Sequence, residues 1–124
     1  MPSEAKLWEV VVENRKEIHV NINRFFSVEH ACYGIEEIAP NSSYDIVWLI
    51  TNNTLWPTYG VRISVTHSDD VEEEIKDWGR IKVKGKIEGG ISTLSGSIEG
   101  KEVIKVEIQR LLTKKEVECR IGVI

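Results

Sequence analysis

Several things are scarce in this 124-residue chain, and each scarcity closes off a class of protein. No apolar run approaches the ~20 residues that cross a bilayer as a helix. The opening MPSEAKLWEVVVE has no apolar core behind basic residues, so it does not read as a signal peptide, and the default expectation is a soluble, cytoplasmic chain without a membrane span. The net charge is only -4, which supplies no global field for nucleic acid; duplex binding is not expected. Alanine and leucine are few, and there is one Met and one Gln. Catalytic signatures are missing too: there is no G-x-S-x-G, no P-loop and no H-E-x-x-H, which argues for a non-enzymatic protein.

What is present is isoleucine and valine, whose β-branched side chains are stiff and pack well on pleated sheets. Hydrophobic content of 41% with 29% charged residues is that of a globular domain, and Glu and Lys dominate the charges, as on thermophile surfaces. The stretch 37–66 organises the rest. Tyr44, Ile46, Trp48 and Ile50 alternate with Val47 and Leu49, a strand apolar on both faces and therefore expected to be covered on both. Val61, Ile63 and Val65 alternate with polar residues, as in a sheet with one wet face. Between them Asn52, Asn53 and Pro57 supply turn chemistry.

The same alternation predicts strands over 5–13, 17–26, 80–88, 91–98, 102–112 and 117–123, with turns at Asn14-Arg15, Gly89-Gly90, Glu99-Gly100 and Thr113–Lys115. Residues 27–39 fit helical spacing at Val28, Ala31, Cys32 and Ile35, yet Gly34 and the neighbouring residue types favour strand or loop. Residues 70–78 read as one short helix: Asp69 can cap, Glu72 completes a capping box, Val71, Ile75 and Trp78 share a face, and Gly79 ends it. The expected fold is all-β, a single sandwich domain over 1–124 of about eight antiparallel strands with that one helix.

Within this frame, Ile38–Ser43, the strand Tyr44–Asn53 and the strand Gly60–Val65 resemble the archaeal and bacterial immunoglobulin-like modules of the CARDB-related kind. There a Pro-Gly-Ser-like turn leads into a strand ending in Thr-Asn, followed by a Gly-Val-x-Val strand. Asn41 stands where the usual glycine would be, and Val117 where the antibody-type tyrosine corner would be. The resemblance implies an immunoglobulin-like sandwich used for adhesion or interaction rather than chemistry.

The candidate sites follow. Arg80, Lys82, Lys84 and Lys86 would share the outward face of one strand, either as an anion site or as an edge whose lysines block unwanted pairing. That strand lacks the aromatics that single-stranded nucleic acid needs for base stacking. Trp56 and Tyr59 would either stack on a sugar or hydrophobic partner or bury against the sheet. Cys32 and Cys119 are open to three readings: two buried thiols, a cross-sheet disulfide, or a reactive or metal-bound thiol; Cys119 lies in phase with Val117, Ile121 and Val123 and should face the core. His19, His30 and His67 have no ligand spacing, and the run Asp69–Glu74 lacks a calcium-loop pattern; no metal or cofactor is expected. Asn41-Ser42-Ser43 and Asn52-Asn53-Thr54 are glycosylation sequons. The expected role is a protein-interaction or structural module, through the 55–59 loop or by self-association at a sheet edge, with carbohydrate or anion binding as the alternative.

Overall fold

The computed structural model describes residues 14–124, with residues 75–79 described by backbone alone. Nine strands form two facing sheets: β1 (Arg15–Ile22), β2 (Val28–Gly34), β3 (Glu37–Ile38), β4 (Ser43–Asn52), β5 (Thr58–Thr66), β6 (Glu72–Ile81), β7 (Lys86–Leu94), β8 (Gly100–Arg110) and β9 (Thr113–Val123). One sheet has the order β2-β1-β4-β7, the other β3-β9-β8-β5-β6. Only β1–β2, β5–β6 and β8–β9 are hairpins; the other links carry the chain from one sheet to the other. Those crossings put β1 beside β4 and β3 beside β9 as parallel pairs, so the pairing is not wholly antiparallel as expected.

The alternation read from the sequence gives the core directly. Ile18, Val20 and Ile22 of β1 and Tyr44, Ile46, Trp48 and Ile50 of β4 face Val61, Ile63, Val65, Ile104, Val106, Ile108, Val117, Cys119, Ile121 and Val123 of the other sheet, all buried. Val47 and Leu49, on the outer face of β4, are only half-covered, so that face is not roofed as expected. Residues 27–39 are strands β2 and β3 with a short link, as favoured. The strand expected over 5–13, with Trp8, lies outside the described residues.

Three further expectations fail. Residues 70–78 form no helix: Asp70 has φ 60°, and a turn closed by His67 N–H bonded to Val71 carbonyl at 2.8 Å leads into β6. From Glu72 the chain pairs with β5, starting at Thr66. A helix of this length is marginal in isolation, whereas the open edge of β5 supplies backbone partners along the whole segment. Gly89-Gly90 is not a turn but the middle of β7, opposite Trp48 and Val47. A Cβ at Gly89 would overlap the Trp48 indole, so this glycine is required by close approach of a ring rather than by a bend. Gly89→Ala is expected to cost about 1–3 kcal/mol by overpacking, read as a lower denaturation midpoint, while Gly90→Ala should cost clearly less. Finally, β8 and β9 meet in a tight turn at Leu111-Leu112, two residues earlier than expected.

Cys32 of β2 and Cys119 of β9 are joined in a disulfide, with Cα atoms 5.9 Å apart. The thiol readings are thereby set aside. Cys119 faces the core as its phase implied, and Cys32, on an edge strand, lies exposed over it. The bond ties one sheet to the other where β2 leans over β9. Disulfides persist in oxidising surroundings, or in the disulfide-rich cytosol of hyperthermophiles, which qualifies the cytoplasmic default.

Candidate functional site

The strands end in two sets of connections, which differ in charge; both expose apolar side chains, the second through Val71, Leu94, Ile98 and Ile124. At one end lie residues 23–27, 53–57, 82–85 and the 111–112 turn; at the other lie 35–36, 39–42, 67–71 and 95–99. The first end is assembled around one side chain, Asn52. This residue is in phase with Ile46, Trp48 and Ile50 and is fully buried at the end of β4. Its Nδ2 donates to the carbonyls of Trp56 at 2.9 Å and Ile81 at 3.2 Å. Its Oδ1 accepts from Thr54 N–H at 3.0 Å and from the Thr54 hydroxyl at 2.6 Å. Trp56 N–H in turn donates to Thr54 Oγ1 at 3.3 Å. This is an Asx-type turn closed on a buried side chain.

The backbone of Asn52 extends the same hub. It exchanges hydrogen bonds with the 82–85 turn, donating to Gly85 and accepting from Lys84 N–H at 2.9 and 2.8 Å. Asn53 N–H reaches the Ile22 carbonyl at 2.7 Å, anchoring the loop to the end of β1. One asparagine therefore positions the tryptophan loop against the lysine turn. Asn52→Ala removes the side-chain partners of the Ile81 carbonyl and the Thr54 N–H, leaving the Trp56 carbonyl only its bond from the Thr54 hydroxyl at 2.8 Å; it is expected to cost about 1–3 kcal/mol, checked by urea unfolding, and to loosen Trp56 in fluorescence quenching.

This end presents apolar side chains outward. Leu112 (101%), Phe25 (89%), Leu111 (79%), Leu55 (73%) and Trp56 (66%) are exposed, with Tyr59 beside them at 46%. Burial of Trp56 and Tyr59 against the sheet, the reading favoured because an exposed tryptophan needs a reason, does not occur. Two shallow clefts of about 370 and 320 Å³ open here, one lined by Arg24, Phe25, Asn53, Leu55 and Trp56, the other by Trp56, Pro57, Tyr59 and Leu111, with Arg110 in both walls. The backbone is strained at the same places: Phe25 (φ 63°), Phe26 (φ 58°), Lys84 (φ 59°) and Leu111 (φ 53°) occupy the left-handed region. Bulky residues avoid it, and the Leu111 position is one that a tight hairpin turn ordinarily gives to Gly or Asn. Phe26 turns inward and is buried, anchoring the segment, with the Arg110 guanidinium stacked 4.6 Å from its ring centroid.

The charge at this end is predominantly basic. Segments 23–27, 52–59, 80–86 and 109–115 contain Arg24, Arg80, Lys82, Lys84, Lys86, Arg110, Lys114 and Lys115 and no Asp or Glu. The four basic residues predicted to share one strand face do not: Arg80 closes β6, Lys82 and Lys84 sit in the turn, and Lys86 opens β7. The chain reverses where a continuous strand was expected, yet the reversal keeps them at the same end as Trp56 and Tyr59. Arg80 pairs with Tyr59 across β5–β6 and lies 5.6 Å from its ring centroid. Among the described residues, Lys114 is the one basic residue of this group in an ion pair, 3.4 Å from Glu107. The opposite connections carry Glu36, Asp69, Asp70 and Glu99, with Arg15, Lys16 and Lys101 on the strand ends beside them.

A second polar constellation was not anticipated. Glu102, fully buried at the start of β8, accepts from the Tyr44 hydroxyl at 2.5 Å and lies 2.8 Å from His67 Nδ1; Gly96 N–H also donates to it. His67 Nε2 lies 3.4 Å from Glu73. Burial pushes the His67 imidazolium down, but its bonds to Glu102 and Glu73 and their charges outweigh this and raise its pKa above 6.5. Burial, helped by Glu102, pushes the Tyr44 phenol far up, so it remains a donor. The members satisfy one another, and the arrangement clamps the 95–99 connection to β4, β8 and the 67–71 connection. A sequence signal existed: Glu102 shares its phase with Ile104, Val106 and Ile108, and Tyr44 with Ile46.

The remaining candidates stay apart. His19 packs against Tyr33, and His30 lies 3.0 Å from the Glu118 carbonyl. No group of His, Cys, Asp or Glu suited to a metal occurs among the described residues. No helix of the described residues is long and apolar enough to cross a membrane. Comparison with family models, curated proteins and solved structures finds no match to this chain.

Proposed function

We propose that this protein is a non-enzymatic interaction module that docks through the end built on Asn52. The observation that carries the reading is the coincidence, at one end, of exposed apolar side chains and left-handed backbone at bulky residues. Such conformations cost on the order of 1–3 kcal/mol each and persist where something other than stability selects them. Exposed apolar groups that are clustered rather than scattered mark interaction surfaces. The likeness of residues 38–65 to immunoglobulin-like modules points the same way, with the loops of one sandwich end as the working surface. The runner-up from the sequence, a carbohydrate or anion site on the aromatic pair or the basic residues, merges with this reading, because both sets share the end.

Backbone amide NMR tests the proposal. Titration with polyanions, anionic vesicles or increasing amounts of the protein itself should perturb residues 23–27, 53–59, 80–86 and 109–115 together. Perturbations confined to the 67–71 and 95–99 end, or to β2 and β7, the edge strands of one sheet among the described residues, would refute it.

A further inference from the structure

Resting on that docking reading, we infer that the occupant of this end is an anionic lipid surface, entered by the apolar tips and held by the cations behind them. Three features select a bilayer interface over a folded partner. The apolar groups project from the surface: Phe25, Leu55, Trp56 and Leu111-Leu112 stand on three separate loops around two shallow clefts, with little of each side chain covered. A protein interface core is instead a continuous patch matched by a partner's relief. Next, the cations stand directly behind the tips. Arg24 precedes Phe25, Arg110 precedes Leu111, and Arg80 lies against Tyr59. Tips placed among acyl chains thus leave guanidinium groups level with phosphates, and Trp56 and Tyr59 in the zone that favours amphipathic rings. Lastly, the connections here carry Arg24, Lys82 and Lys84 and no acid, while those at the far end carry Glu36, Asp69, Asp70 and Glu99 and no Lys or Arg, so a negative surface favours this end over the other. Protein partners bring both signs, and a purely polyanionic ligand gives no use to Leu111 and Leu112.

Leu111 and Leu112 provide a test that spares the fold. Replacing them with Gly-Asn supplies the residues a tight hairpin turn prefers, so Leu111→Gly with Leu112→Asn should fold at least as well as the parent. Likewise Lys84→Asn suits its left-handed backbone, and is combined with Lys82→Gln. The full chain is sedimented with phosphatidylcholine vesicles with and without phosphatidylserine, over a range of salt. We expect binding only with the anionic lipid, falling as salt rises. The leucine variant should lose about tenfold or more in partitioning, from the two side chains it no longer buries. The lysine variant should lose roughly 30-fold at low salt, at about fivefold per charge. Brominated acyl chains should quench a fluorescence component that Trp56→Phe removes. No vesicle binding, with heparin retention lost in the lysine variant, would overturn the lipid assignment and leave docking of a polyanion. Self-association at low salt abolished by either variant, without vesicle binding, would assign the end to the acidic end of a second copy. Vesicle binding indifferent to both variants would overturn this inference and the docking reading together.

Discussion

Glu102→Ala is expected to leave the protein barely folded. The carboxylate has no exposed surface and serves the Tyr44 hydroxyl, the His67 ring and the Gly96 amide at once. Its removal abandons three buried polar groups, at about 1–3 kcal/mol each, with His67 left only Glu73. Domains of this size hold about 5–15 kcal/mol in total, so urea melts should show a midpoint lowered by a third or more. Glu102→Gln keeps the shape and an acceptor but not the charge, and should cost about 1.5–3 kcal/mol. The pair also separates by pH. His67 holds its proton more tightly folded than unfolded, so its contribution is complete below about pH 6.5, where the unfolded ring is protonated. It is lost as pH rises through the raised folded value. Stability should therefore decline with pH above 6.5, and Glu102→Gln should flatten the decline, leaving only what Glu73 supplies. A parent whose stability is level from pH 6 to 9 would contradict the assignment.

Breaking the Cys32–Cys119 bond should have an effect of similar size by an unrelated route. The bridge spans 87 residues, and closing a loop of that length removes conformational freedom from the unfolded chain by roughly 4–5 kcal/mol in the chain-entropy account. Measured effects commonly fall lower, about 2–4 kcal/mol. Serine suits the exposed position and alanine the core position, so Cys32→Ser with Cys119→Ala isolates the bond. For a chain of this length we expect the melting temperature to fall by roughly 10–15 °C, with the same shift on reducing the parent. Folding should survive, because the core comes from both sheets and Cys119 is one contributor among many. A shift under a few degrees would show that packing already holds β2 against β9.

Both effects, and the proposed docking end, mark what the sequence displays and what it hides. Period-two alternation located β1, β4, β5, β8 and β9 and named their inward residues, because a half-buried strand writes its burial into every second position. It failed where pairing decides: 70–78 carry helix signals, yet a free edge on β5 claims them. It misread Gly89, whose purpose is the indole across the strand, and the 80–88 segment, which reverses at Lys82–Gly85. For the candidate site, composition identified Trp56, Tyr59 and the basic residues separately. Their gathering needed the chain crossings, and Phe25, Leu111 and Leu112 were passed over because apolar residues in a β-rich chain are first assigned to the core. Asn52 and Glu102 were hidden differently, as polar residues in apolar phase, a mismatch that usually marks a buried hub.

The concealment of Asn52 has a consequence for any cell that attaches N-glycans. Its amide nitrogen, the atom a glycan would occupy, is committed to the carbonyls of Trp56 and Ile81, whereas Asn41 of the other sequon lies exposed in a turn. A finished molecule can accept sugar at Asn41 but not at Asn52. Sugar at Asn52 would have to be added before β4 closes against its neighbours, and it would then bar that closure. In such a cell the two acceptors would keep different time: Asn41 stays open throughout, while Asn52 counts the chains caught unfinished.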